Sequence, residues 1–136
     1  MMREILFRGQ THDGKWVEGL LWKKKYDTPK RFISCFPCRD DEEDVFPVKS
    51  ETVGQYTGLT DKNGKKIFEG DIVTGLFLHS RPVNGVTAFR DGSFGLLWDR
   101  AGAETFWAFT SICNVEYEVI GNIHDNPELL KGGEER

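Results

Sequence analysis

The sequence predicts a small all-β protein, an antiparallel barrel or sandwich with tight glycine-rich turns and at most one short helical turn near the C-terminus. In nearly every run, apolar residues follow the period of two that a β-strand requires. The 136 residues include 15 glycines, a share that suits many tight turns. The 10 Phe, 4 Trp and 3 Tyr residues can supply the apolar surface of a core. We expect one domain over residues 1–130 and a frayed tail over 131–136.

The N-terminal part of the chain predicts a β-hairpin followed by another strand. In REILFRG, Ile5 and Phe7 share one face, and KWVEGLLW alternates in the same way. Asp13 and Gly14 between these two segments are a turn signal. RFISCF predicts the next strand, and the acidic, proline-bounded segment PCRDDEEDVFPV after it predicts a solvated loop.

The C-terminal half predicts a second hairpin and the remaining strands. Asp91 and Gly92 separate two alternating segments, GVTAF and SFGLLW, which is the pattern of a tight hairpin. Further strands are predicted at DIVTGLFLHS, TFWAFTSIC and YEVIGNIHDN. The segment NPELLK then predicts one helical turn, with Asn126 as its cap and Pro127 in its first position.

The stretch QYTGLTDKNGKKIFEGDIV, residues 55–73, combines a polar turn, an apolar plug and a bend. Asn63 and Gly64 tolerate positive φ and predict a tight turn, and Gly70 predicts a sharp bend. Asp71 can accept hydrogen bonds from backbone amides across that bend. A phosphate-binding loop would need a helix after the glycines, and a calcium loop would need carboxylates where lysines stand. We therefore interpret this stretch as a structural device.

No combination of residues predicts catalysis or a bound metal. Cys35 and Cys38 have the spacing of half a zinc site, but Cys113 and His124 could complete a ligand set only if folding brought them together. The number of cysteines, 3, is odd and argues against a disulfide framework. Nucleophile-elbow, P-loop and H-E-x-x-H patterns do not occur. We expect no cofactor, no metal and no catalytic residue.

One cluster of basic and aromatic residues offers a way to bind nucleic acid. Small β-barrels hold single strands between stacking rings and cations. The formal net charge of −4 opposes phosphate backbones at long range, although a local basic patch can override it. We expect weak binding or none, through a cluster made of Trp22, Lys23, Lys24, Lys25 and Tyr26.

The segment from Thr105 to Ile112 predicts self-association. It is apolar on both faces, so one face can enter the core of a small sheet while the other needs a cover. With few helical residues to provide that cover, a second copy of the chain is the favoured partner, and a closed single-chain barrel or sandwich is the alternative. The predicted contact residues are Phe106, Trp107 and Phe109.

Several segments together resemble the YopX-like family of phage and prophage proteins. These are MREILFRG, the long stretch over residues 55–73, the DGSFGL hairpin and the terminal YEVIGNIHDNPELL, in that order along the chain. The resemblance implies a small all-β protein encoded by phages or prophages of Gram-positive bacteria, and it implies no activity.

Residues and resemblance together predict a non-enzymatic accessory protein that works through contacts with itself or with phage or host proteins. The alternative is a nucleic-acid-binding β-barrel that serves phage replication or expression. No run approaches the roughly 18 apolar residues of a membrane span, and MMREILFRGQ does not match a secretory signal. We therefore expect the protein in the cytoplasm of the host bacterium, without a membrane partner.

Overall fold

The computed structural model describes residues 4–22, 31–35, 45–76, 82–100, 102–109 and 116–132. This part of the chain is nearly all β, with one short C-terminal helix, which confirms the predicted fold class. The strands form two open antiparallel sheets rather than a closed barrel. The elements are β1 Phe7–Gln10, β2 Trp16–Trp22, β3 Arg31–Cys35, β4 Val45–Val48, β5 Gly54–Thr60, β6 Lys66–Phe68, β7 Asp71–Leu76, β8 Pro82–Arg90, β9 Ser93–Arg100, β10 Ala103–Ala108, β11 Glu116–Asn122 and α1 Glu128–Gly132.

The chain divides into two compact units, Met1–Gly58 and Leu59–Arg136. The first unit contains β1 to β4 and the beginning of β5. The second contains the end of β5, the remaining strands and α1. The single domain over residues 1–130 stays a prediction.

The first unit is built on a sheet in the order β4-β3-β2-β1, with β5 beside β1. The predicted hairpin is present, since β1 pairs with β2 from Phe7 opposite Gly19 to Gln10 opposite Trp16. Lys49, which follows β4, donates a hydrogen bond from its N–H to Gln10 O at the end of β1, at 2.8 Å. Since β4 and β1 are not neighbours in the order, this bond indicates that the sheet curls.

The core of the first unit lies on one face of this sheet. Val17, Ile33 and Val48 are buried there, and Ile33 is completely inaccessible to solvent. They come from three different strands, so the alternation within each strand brings them to the same side. Phe7, Leu21, Phe46 and Val53 pack around them.

The second unit is built on a sheet in the order β10-β9-β8-β7-β11. The predicted hairpin between β8 and β9 is present, and its turn residues Asp91 and Gly92 have φ of 51° and 82°. Two successive residues with positive φ form the turn whose twist matches that of the flanking strands. This explains why an Asp-Gly pair stands at this position.

The core of the second unit is a cluster of Ile67, Val73, Leu96 and Phe109. Phe94 and Trp98 alternate with the buried Leu96 along β9, so they share its face and pack against the cluster. Strand β9 therefore has one face toward this core and one face away from it. Among the residues that the structure describes, no helix is long and apolar enough to cross a membrane.

Candidate functional site

Strand β10 is an edge strand of the second sheet. It pairs with β9 over its whole length, from Ala103 opposite Arg100 to Ala108 opposite Gly95. The turn between the two strands contains Gly102 at φ 85°, a conformation that favours glycine. No strand within the described ranges pairs with the other side of β10. Edge strands present unpaired backbone groups that can accept a further strand.

Two of the other edges carry features that oppose such pairing. β4, at the edge of the first sheet, contains the exposed Pro47, which has no N–H to offer to a neighbouring strand. β6, at the other end of that sheet's order, has only three residues. Proline and very short edge strands are common protection against edge-to-edge association.

The edge strand β11 is covered by the turn over residues 61–65. Lys62 N donates a hydrogen bond to Tyr117 O at 2.9 Å, and Val119 N donates to Asp61 Oδ2 at 3.0 Å. A register shift between Val119 and Gly121 interrupts the ladder of β11 with β7. Strand β10, in contrast, contains no proline and no lysine, and Glu104 is its one charged residue. Within the part of the chain that the structure describes, its edge therefore lacks the protection that the other edges have.

The aromatic residues of β10 point to opposite faces of the sheet. Trp107 lies opposite Leu96 and shares the core-facing side, but at the edge it remains 41% exposed. Its ring centroid is 6.0 Å from that of Trp98. Phe106, opposite Leu97, is half-buried on the other face. Strand β10 thus offers an aromatic side chain on each face.

Phe109 has a different role from the other two predicted contact residues. It is 7% exposed, belongs to the core cluster, and meets the ring of Tyr117 edge-on at a centroid distance of 5.1 Å. Burial also raises the pKa of the Tyr117 hydroxyl to about 12. Phe109 therefore stabilises the unit itself, which leaves Phe106 and Trp107 as candidate contact residues.

A second exposed aromatic ring lies on the face that carries Trp107. Phe89, at the end of β8, is 53% exposed and contacts Phe94 edge-on at 4.9 Å between centroids. Phe94 alternates with Leu96 along β9, so Phe89 and Trp107 lie on the same face of the sheet. This second ring was not among the predicted contact residues, because the alternation in GVTAF predicts a strand and not which of its residues stays exposed.

Gly95 permits the close contact between β9 and β10. A Cβ atom at this position would lie 2.7 Å from Phe106 Cζ and 2.7 Å from Ala108 Cα, and would collide with Trp107 O. Phe106 therefore lies over the glycine, where a larger residue would displace it. Sequence reasoning did not single out this glycine, because the ring above it belongs to the neighbouring strand.

The turn of the 55–73 stretch is closed by the carboxylate of Asp61. Asp61 Oδ1 accepts hydrogen bonds from the backbone N–H groups of Asn63 and Lys65, each at 2.9 Å. Gly64 has φ of 82°, and its N–H donates to Asp61 O at 3.0 Å. Burial alone would raise the pKa of Asp61, but hydrogen bonds from the amides of Val119, Lys65 and Asn63 outweigh burial and lower it.

The bend of the same stretch is fixed by backbone contacts on both sides. Gly70 has φ of 89°, its N–H donates to Thr87 O at 2.9 Å, and its carbonyl accepts from Ile123 N at 2.9 Å. The buried Asp71 accepts a hydrogen bond from Phe68 N at 2.8 Å. All of these interactions hold backbone in place.

Most of the predicted nucleic-acid cluster lies outside the described residues, namely Lys23, Lys24, Lys25 and Tyr26. Trp22 ends β2. In the same strand, Trp16 lies under the Arg8 guanidinium, whose Cζ is 4.8 Å from the ring centroid.

The residues considered for zinc are only partly described. Cys35 ends β3, whereas Cys38 and Cys113 lie outside the described residues. The His124 backbone N–H donates to Asn122 Oδ1 at 3.0 Å in the turn before α1. Among the residues described, no group of three or more His, Cys, Asp or Glu side chains could hold a metal ion.

A shallow cleft of about 260 Å³ crosses the second sheet beside α1. Its apolar lining comes from β8, β9 and α1, while Asp99 and Glu104 supply exposed carboxylates. The Glu104 carboxylate pairs with the Arg90 guanidinium at 2.9 Å. Asn84 Nδ2 donates to Leu129 O at 3.1 Å, which fixes α1 beside the cleft.

Comparisons with known proteins bear on the whole chain. The family model described as YopX protein matches residues 6–131. The crystal structure of protein EF1440 from Enterococcus faecalis is similar, with 26% sequence identity and a TM-score of 0.49 over 95% of this chain and 99% of that chain. No curated protein matches the sequence.

Proposed function

The chain belongs to the YopX protein family, and we propose that it is a phage- or prophage-encoded accessory protein without catalytic activity. It works through protein contacts, including contacts with its own copies. The observation that carries this proposal is the edge of β10, which keeps Trp107 41% exposed and, among the described residues, shows none of the features that protect the other edges.

The exposed aromatic rings support a protein partner over a small-molecule substrate. Aromatic side chains are enriched at protein interfaces, where they bury large apolar areas at little loss of conformational entropy. Trp107 lies at an edge that can pair with another strand, and Phe89 lies on the same face, two strands further in. An added strand gives affinity through backbone hydrogen bonds, and the rings beside it give specificity.

Light scattering of the purified chain at tens of micromolar tests self-association directly. We expect an oligomeric mass for the parent and a monomeric mass for Trp107→Lys. Leu20→Lys is the matched control, because Leu20 is a strand residue of similar exposure, 43% against 41%, in the other unit. A monomeric parent would refute self-association, and equal effects of the two lysines would refute the assignment to β10.

A pull-down from infected or prophage-bearing cells tests for other protein partners. One half of the sample is treated with nuclease, so that proteins held by a shared nucleic acid are lost from it. We expect a partner that survives nuclease and is lost with Trp107→Lys but kept with Leu20→Lys. Partners that all disappear after nuclease treatment would argue for the nucleic-acid alternative.

That alternative, a nucleic-acid-binding β protein, has one supporting observation. Arg8 lies over the ring of Trp16, in β2, with its Cζ 4.8 Å from the ring centroid. Rings beside cations can hold bases of a single strand. With a net charge of −4, only local cations can contact phosphate, so we expect binding to vanish near physiological salt. Submicromolar, salt-resistant binding of single-stranded DNA or RNA would place this function first.

A further inference from the structure

Resting on the proposed self-association, we infer that β10 of one protomer pairs with β10 of its partner in an antiparallel ladder centred on Phe106. The two five-stranded sheets of the second units then join into one continuous sheet. The occupant of this edge, which no described strand pairs, is thus a second copy of this chain, and the contact is the same surface on both protomers.

Symmetry restricts which registers are available. Two copies of an edge strand can pair antiparallel only about a two-fold axis perpendicular to the sheet, and this axis keeps each face on its own side. Residues that oppose each other must therefore point to the same face, and along one strand these are residues of the same parity. It follows that one residue lies next to the axis and opposes its own copy across it.

The charge of Glu104 selects among the remaining registers. A ladder centred on Glu104 would place two carboxylates directly opposite each other, and one centred on Thr105 would leave them about 7–8 Å apart on the diagonal. Centring on Phe106 places Glu104 opposite Ala108, so the two carboxylates are four positions apart, or about 13 Å, beyond the screening length of about 8 Å.

Side-chain pairing favours the same register over the next one along. About Phe106, the phenyl ring opposes its own copy, and Thr105 opposes Trp107, which gives an aromatic and a β-branched residue as a favourable cross-strand pair. The five positions from Glu104 to Ala108 all find partners within β10. In a ladder centred on Trp107, only the three positions from Phe106 to Ala108 would have a partner within β10.

This register also covers the exposed aromatic ring of the edge. Trp107 and its copy become diagonal neighbours on the face that carries Trp98, within reach of each other's rings. Phe106 and its copy occupy directly opposed positions on the opposite face, each ring over Gly95 of its own protomer. Both aromatic residues of β10 are then buried, one on each side of the joined sheet.

Disulfide trapping tests the register. Cys35, Cys38 and Cys113 are replaced by Ser, and single cysteines are introduced as Thr105→Cys or Phe106→Cys under mild oxidation. The Cα atoms of directly opposed residues in an antiparallel pair lie within the separation that a disulfide spans. The Cα atoms of diagonal residues, which are two positions out of register on the two strands, lie too far apart. We expect Phe106→Cys to form a covalent dimer at least tenfold faster than Thr105→Cys, with both variants checked by thermal melting.

The outcomes separate this inference from the function on which it rests. An oligomeric parent with trapping at Thr105→Cys, or with no trapping at either position, overturns the register and leaves self-association standing. A monomeric parent overturns both. If Phe106→Cys does not fold, a mixture of Thr105→Cys and Trp107→Cys chains gives the same test, because these two positions oppose each other; absence of the mixed dimer then overturns the register.

Discussion

The carboxylate of Asp61 joins two segments that are 58 positions apart, because its Oδ2 accepts a hydrogen bond from Val119 N at 3.0 Å. Its Oδ1 meanwhile accepts from Asn63 N and Lys65 N, so the same side chain closes its own turn. The closed turn lies against the edge of β11, where Lys62 N donates to Tyr117 O. The most distinctive stretch of the sequence therefore protects one edge of the second sheet.

Replacing Asp61 tests this structural role. We expect Asp61→Asn to lower the free energy of unfolding by about 1–3 kcal/mol. The carboxylate accepts three backbone hydrogen bonds with its two oxygens, whereas in the Asn side chain only one terminal atom is an acceptor. Chemical denaturation at pH 7 measures the loss. Asp99→Asn removes an exposed carboxylate and serves as the control, with an expected change within about 0.5 kcal/mol. Equal losses for the two variants would contradict the role of Asp61.

The same carboxylate predicts a dependence of stability on pH. The pKa of Asp61 is lowered in the folded state, so the unfolded chain binds the proton more tightly. The contribution of the Asp61 carboxylate to the free energy of unfolding is complete above the pKa of the unfolded state, about 3.9. It is lost as the pH falls through the lower pKa of the folded state. We expect the difference in unfolding free energy between the parent and Asp61→Asn to stay constant above about pH 5 and to shrink below about pH 4. A difference that grows in acid would refute this.

The bend at Gly70 should matter for folding. Because Gly70 has φ of 89°, a β-branched residue there is strained, and we expect Gly70→Val to lower stability by about 1–3 kcal/mol. Gly70→Asn is the matched variant, since Asn tolerates positive φ better, and its loss should be smaller. A melting temperature of Gly70→Val equal to that of the parent would show the bend argument to be wrong.

Gly95 should be the least replaceable glycine of the β9 ladder. A methyl group there meets Phe106 Cζ and Ala108 Cα, each at 2.7 Å, so we expect Gly95→Ala to lower stability by about 1–3 kcal/mol through overpacking. Gly85→Ala is the control, because its nearest neighbour, Leu97 O, is 3.1 Å from the added Cβ. Denaturation curves of both variants check this, and a larger loss at Gly85 would contradict it.

We expect the purified protein to carry no stoichiometric zinc. Cys35 and Cys38 lack a second pair of ligands at a spacing that a zinc site requires. Metal analysis by mass spectrometry measures the content of the parent and of Cys35→Ser. About one zinc per chain in the parent, lost in Cys35→Ser, would overturn this expectation.

Local rules allowed the turns to be predicted from the sequence. Asp91-Gly92 and Asn63-Gly64 were identified because a tight reversal needs residues that tolerate positive φ, and φ is 82° at both glycines. The role of Asp61 was missed, because its partner Val119 belongs to a strand far along the chain. Asn126 shows the same limit. It was predicted as a helix cap, and in the structure its side chain accepts a hydrogen bond from Asn122 N, at the end of β11, at 3.3 Å.

The sequence by itself determined the all-β class, the hairpins and the two faces of each strand, because alternation and turn chemistry act over a few residues. Only the tertiary structure decided that β11 lies beside β7 and that β10 lies at an edge. The order of strands depends on pairing between distant segments, which alternation within one strand does not encode. For this reason Phe109 and Trp107, two positions apart in one apolar run, differ so much in exposure, 7% against 41%.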